Sequence, residues 1–119
     1  MASQPEELRD RTKNFAIRVV HLFRALPKTE EARIIGRQLL RSATSVAANY
    51  RAVCRARSHA EFVSKIGTVV EEMDETMFWL EFLGDVAIIQ PSRLGKLAKE
   101  GNELLAIVAA SQRTARKRT

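Results

Sequence analysis

Three short interruptions divide the chain, and little between them would break a helix. They are Pro27 to Thr29, Arg57 to Ser58 and Ala87 to Pro91. Connections this short force consecutive helices to pack side by side and antiparallel. The first three segments carry apolar residues at helical spacing. The expectation is an all-α fold, an antiparallel up-down four-helix bundle, with residues 1–119 forming a single domain. A chain of this length buries roughly two thirds of its unfolded surface, so it needs no disulfide or metal to fold.

The punctuation gives approximate ends. The first helix runs from about Pro5 to Leu26, with Glu6 and Glu7 complementing its positive end. Its stripe is Leu8, Phe15, Val19, Leu22 and Leu26, and Pro27 stops it. The second follows Thr29, a natural N-cap, and reaches about Arg57. Ser58-His59-Ala60-Glu61 has the form of a capping box opening the third, which runs to about Val86. Pro91 or Ser92 opens the fourth, which reaches about Gln112 and leaves residues 113–119 as a frayed basic tail.

The second helix raises a question of charge. Ile35, Leu39, Val46, Tyr50 and Val53 cluster on one side. Arg33, Arg37, Arg41, Arg51 and Arg55 fall within about 80° on the other. No acid stands between Glu31 and Glu61, and like charges at i,i+4 repel. The third helix has the opposite character. From Glu61 to Asp85 it holds seven acids against Lys65, a net −6, so the rest of this +6 chain carries +12. Its core stripe reads Phe62, Ile66, Val69, Val70, Met73, Met77 and Leu80, while Phe78 and Phe82 sit outward among Asp74, Glu75 and Asp85. Large rings among outward acids suit a subunit interface.

Two readings of the arginines stand side by side. In one they pair with acids, of the same chain or of a neighbouring subunit. In the other they stay open and bind phosphates. Arg33, Arg37 and Arg41 run along the body of the bundle and are expected to face another subunit, against Asp74, Glu75, Phe78 and Phe82. Arg51, Arg55 and Arg57 gather near a turn, where access is easiest. With the tail cations Arg113, Arg116, Lys117 and Arg118, they are the expected contacts to RNA or DNA.

Gln38-Leu39-Leu40-Arg41-Ser42-Ala43-Thr44-Ser45-Val46-Ala47-Ala48-Asn49-Tyr50 resembles the central signature of the four helix bundle protein family, the type first noticed in intervening sequences of bacterial 23S ribosomal RNA genes. Glu61-Phe62, Ile66-Gly67-Thr68 with Glu71, and Leu104-Leu105-Ala106-Ile107 with Ala110-Ser111 extend the likeness. The resemblance implies a small antiparallel four-helix bundle that forms a ring-like homo-oligomer, often a pentamer. A related branch is the accessory protein of diversity-generating retroelements, which binds nucleic acid and a reverse transcriptase. Most members have no established activity. Many carry an acid and a glycine where this chain has Arg51 and Ala52, a departure that adds charge to the arginine face. Ser42, Ser45 and Asn49 read as packing residues that bond a neighbouring helix, and Gly67 as a point of close approach.

Enzyme chemistry is not suggested. His21 and His59 stand apart from any metal-ligand spacing, no glycine-rich phosphate loop occurs, and no cofactor or metal is expected. Cys54 is the only cysteine and reads as a small packing residue in a reducing compartment, the cytoplasm. The N-terminal MASQPEELRDR has no apolar core of a signal peptide, and no run is long enough to cross a membrane. The function expected is therefore a non-enzymatic oligomer that binds nucleic acid or serves as an adaptor. The alternative is a protein-interaction scaffold whose arginines meet acidic protein surfaces.

Overall fold

Three of the helices begin where a hydroxyl caps them. The oxygen of Ser3 accepts from the Glu6 N–H at 3.3 Å, that of Thr29 from Ala32 at 3.3 Å, and that of Ser58 from Glu61 at 3.0 Å. Each such cap contributes about 1 kcal/mol. The structure, a computed structural model that describes residues 3–118, contains α1 (Gln4–Ala25), α2 (Glu30–Cys54), α3 (His59–Asp85) and α4 (Pro91–Lys117). Pro91 opens α4 without a side-chain cap. Neighbours in sequence are neighbours in space, and the bundle extends 46 Å along its axis.

Two ends differ from the sequence expectation. Helix α2 stops at Cys54, so Arg55 caps it and Arg57 lies in the turn. Residues 113–117 of the expected frayed tail are helical, since α4 continues to Lys117, and position 119 lies outside the described residues. The buried stripe Leu97, Gly101, Leu104 and Val108 carries on to Ala115, which is itself buried, and Arg116 and Lys117 complement the negative end of the dipole. The abundance of charge hides that single apolar position.

Between α3 and α4 the chain reverses through Ala87, at φ 59°, a left-handed conformation that costs a non-glycine residue about 1 kcal/mol or more. The N–H groups of Ile88 and Ile89 return to the carbonyl of Leu83 at 3.1 and 3.3 Å. Burial of the Ile89 side chain offsets the strain.

The core stripes follow the heptad rhythm. On α2 they include Ala32, Leu39, Ala43, Val46, Tyr50 and Val53, all buried. On α3, Ile66, Val69, Met73 and Leu80 are buried as expected. Phe62, Val70 and Met77 sit at the core's edge, and Thr76 and Leu83 complete the stripe. The buried hydroxyls are satisfied within their own helices: Ser42 donates to the Leu39 carbonyl at 3.1 Å and Thr76 to that of Glu72 at 2.7 Å. Asn49 likewise donates to the Ser45 carbonyl at 2.9 Å and its hydroxyl at 3.0 Å, not to a neighbouring helix.

Close approach is needed at Gly101, where an added Cβ would overlap the Met77 sulfur and come within 3.2 Å of the Phe15 ring. At Gly67, by contrast, a Cβ would meet only Gln112, at an ordinary 3.5 Å, so the expected close approach is not there. Helices α1 and α4 touch least of all the neighbouring pairs. Their seam is clasped by Arg11, which reaches Glu100 through two bonds of 2.7 and 3.1 Å and Glu103 at 3.2 Å. The Glu100 carboxylate holds the guanidinium still more firmly in its charged form.

Two glycines of α4 should therefore respond with opposite signs. Around Gly95 no atom beyond the adjoining backbone of its own helix and its chain neighbours lies within 4 Å of an added Cβ. Gly95→Ala should gain about 0.5–1 kcal/mol from helix propensity. Gly101→Ala gains the same propensity but must displace Met77 and the Phe15 ring, and should lose about 1 kcal/mol net. Urea unfolding followed by circular dichroism checks both signs.

Candidate nucleic-acid interface

Burial of one stripe sets where each arginine of α2 points. A step of four residues turns the helix about 40° beyond a full circle, so Arg33, Arg37 and Arg41 roll progressively away from α1 and towards α3. The ten residues from Arg41 to Arg51 bring the series back by about 80°. The arginines thus divide between two neighbours.

Arg41 is answered within its own chain. Its expected place is against another subunit, but one guanidinium nitrogen bonds Glu75 of α3 and another lies 3.3 Å from Glu72. Its Nε also donates to Gln38 at 3.3 Å. Glu75, placed by the same expectation at a subunit interface, additionally accepts from the Trp79 indole N–H at 3.0 Å. This is an electrostatic tie across the α2–α3 contact, half exposed and of modest strength.

Arg51 and Arg55 point the other way, over a groove between α2 and α1. The groove encloses about 640 Å³. Its α2 wall offers Arg51 and Arg55, its α1 wall Arg9 and Lys13, and Thr44, Ala47 and Ala48 leave the space between them open. Asp10 is the only acid lining it, 3.6 Å from Arg9. Among the described residues, Lys13, Arg51 and Arg55 have no carboxylate partner. Four cations against one acid, on two facing walls, form a track for an anion with repeating charges.

Sequence reasoning misses Arg9 and Lys13. Their i,i+4 spacing is legible, but an arginine series followed along one helix does not reveal a groove that joins two. Thr44 and Ala48 look like gaps in that series; they are what keeps the groove open.

The other expected contacts are spread around it. Arg57 lies in the α2–α3 turn, 3.7 Å from Glu61, with its side chain 89% exposed. Arg113, Arg116, Lys117 and Arg118 are exposed on the last turns of α4, at the same end of the bundle as Arg51 and Arg55 but outside the groove. Arg33 and Arg37 are exposed beside the α1–α2 connection.

On the outer face of α3, Asp74 is exposed and Phe78 is 54% exposed. Phe78 stacks on the half-buried Phe82 at 5.7 Å and meets the Trp79 ring edge-on at 4.9 Å. Cys54 is exposed rather than packed. Its Sγ rests 3.7 Å from the Pro5 carbonyl oxygen, and this partial burial pushes the thiol up, away from a reactive thiolate. Burial also pushes the Tyr50 hydroxyl up to about 12. Among the described residues no three His, Cys, Asp or Glu side chains converge on a metal-sized site, and no helix is long and apolar enough to cross a membrane.

Comparison with known proteins places this geometry in context. A family model described as 23S rRNA-intervening sequence protein matches residues 6–110. The chain is also similar to a crystal structure of a protein with unknown function from the S23 ribosomal protein family of Bacteroides thetaiotaomicron VPI-5482. The two share 27% identity and a TM-score of 0.85, over 93% of this chain and 99% of that one. No curated protein matches.

Because Arg41 has its partners in its own chain, Arg41→Ala should cost no more than about 1 kcal/mol in urea unfolding, and less at high salt. Its mass in sedimentation should equal that of the unaltered protein. A fall in mass would put Arg41 at a subunit contact instead.

Proposed function

The chain belongs to the 23S rRNA-intervening sequence protein family, a family of unknown function, and from that premise we propose a non-enzymatic, cytoplasmic helical bundle that binds nucleic acid through arginine–phosphate contacts. The observation that carries the reading is the α1–α2 groove, where Arg9, Lys13, Arg51 and Arg55 face one another across small residues. An open row of cations repels itself unless an anion answers it. Arg41 and Arg11 have their carboxylates, whereas the four cations of the groove share the single acid Asp10. Phosphates supply the missing charge, and they do so without regard to sequence. Arg57, Arg113, Arg116, Lys117 and Arg118 extend the positive field around the same end of the bundle.

A second feature favours assembly. Phe78 is 54% and Ile34 53% exposed. Arg41 meets Glu72 and Glu75 in antiparallel register, so Ile34, about two turns earlier on α2, stands level with Trp79 to Phe82 on α3. The patch is rimmed by Asp74, Glu81 and Asp85, and the exposed Arg33 and Arg37 of a second copy complement it in charge. A ring-like homo-oligomer, a pentamer by family resemblance, would place one subunit's arginines against the next subunit's α3. In this arrangement the protein doubles as a scaffold, a reverse transcriptase being the partner that the resemblance suggests.

Titration with a labelled single strand at several salt concentrations tests the groove. Removing one cation that meets a phosphate should reduce the slope of log affinity against log salt by about 0.7. Arg51→Ala with Arg55→Ala should therefore flatten the slope by about 1.4 while the oligomer mass stays unchanged. Absence of binding at low salt would end the nucleic-acid reading.

Phe78→Arg addresses the assembly separately. It should preserve helix content and yield smaller particles in sedimentation. An unaltered mass would remove Phe78 from the interface.

A further inference from the structure

Beside the groove lies a second depression, and the two share a wall. It is a cleft of about 840 Å³ at the end of the bundle, where the first turns of α1 and α3 meet the last turns of α2 and α4. Cys54 lines both the cleft and the groove and forms their shared edge, its Sγ against the Pro5 carbonyl oxygen, so a strand that reaches from one to the other crosses at Cys54. The cleft exists because α1 and α4 barely touch: the Arg11 clasp holds their seam further along and leaves the end open.

The two depressions differ in chemistry. The groove is cationic over small residues. The cleft is walled by Leu8, Tyr50, Val53, Phe62 and Ile107. Phe62 is only half-buried. Ser111, Thr114 and Gln4 place hydroxyl and amide groups at the rim, and Arg118 adds a cation there. Its volume falls within the range of about 300–1,000 Å³ typical of ligand clefts. Apolar walls that include two aromatic residues, with a few adaptable polar groups, suit a flat heteroaromatic ring. Repeating anionic charge in one depression and a flat ring in the next describe a nucleotide strand.

We infer that the ligand is a single-stranded polynucleotide whose phosphates lie along the α1–α2 groove while an unpaired base enters the cleft at the bundle end. This rests on the proposed phosphate role of the groove and adds the strandedness of the ligand. A base in a duplex must first be unpaired and unstacked before it can leave the helix, whereas a single strand presents its bases freely. The rim hydroxyls accept or donate as required, so the cleft takes a base without selecting a sequence. RNA and DNA share the chemistry assigned here, phosphate plus free base.

The test compares four probes of about 12 nucleotides and equal phosphate number: single-stranded RNA, single-stranded DNA, a strand of abasic sites, and a duplex. Fluorescence anisotropy with the unaltered protein should show an intact single strand, RNA or DNA, bound about tenfold more tightly than the abasic strand and the duplex. Ala110→Trp, which fills the cleft from an exposed position of α4 without removing a cation, should bring the intact strands to the abasic level. Its salt slope should be unchanged, because every phosphate contact remains. Equal binding of abasic and intact strands by the unaltered protein overturns the inference, as does duplex binding as tight as that of the single strand. Both outcomes would leave the groove as a phosphate site. Loss of all binding at low salt, or an unchanged slope in the Arg51→Ala and Arg55→Ala variant, would instead remove the underlying reading.

Discussion

One stripe of α2, from Ala32 to Val53, is buried against the rest of the bundle, and its burial fixes the rotation of that helix about its own axis. Each buried Leu or Val contributes on the order of 2 kcal/mol, so turning the helix by even one position would forfeit several such contributions. The outward residues have no comparable hold on the geometry. Their directions are consequences of the stripe, and the charges of α2 are distributed by a decision made in the core. Arg41 falls beside α3 and finds Glu72 and Glu75 there, while Arg51 and Arg55 fall beside α1 and meet Arg9 and Lys13. The same rotation that satisfies one arginine leaves two others facing further cations.

Much of the architecture is legible in the sequence because it depends on local signals. Pro27, Thr29, Ser58 and Pro91 mark helix ends by their own backbone and hydroxyl chemistry, and the apolar spacing marks the core. What is not legible depends on pairs of helices. The groove needs the azimuth of α1 relative to α2, which no single periodicity supplies, and so Arg9 and Lys13 do not announce themselves. Arg41 looks like a residue for another subunit because sequence cannot tell an acid on the next helix from one on the next molecule. The end of α4 is obscured for a different reason. Charge outnumbers apolar content in its last turn, yet Ala115 alone continues the stripe inward.

The similar crystal structure from Bacteroides thetaiotaomicron shares the fold over 93% of this chain, and the family model spans residues 6–110. They leave the surface to be read from its own chemistry. That surface is divided. The cationic groove and the cleft lie towards α1 and the bundle end, and the three-ring cluster Phe78, Trp79 and Phe82 lies on the outer face of α3. The two regions share no residue, so a ligand on one leaves the other uncovered.

The separation of charge between α3 and the remaining helices also makes the molecule an electric dipole. Helix α3 carries −6 and the other residues +12, and α1, which forms one wall of the groove, stands diagonally across the bundle from it. Near a polyanion such an object experiences a torque before any contact is made. It turns the acidic helix away and presents the α1–α2 side, so the encounter is oriented over a distance of roughly one Debye length, about 8 Å at physiological ionic strength. The aromatic face of α3 then points away from the polyanion. An orientation chosen during approach needs no recognition of sequence, and it is common to every subunit of an assembly that preserves the exposure of the groove.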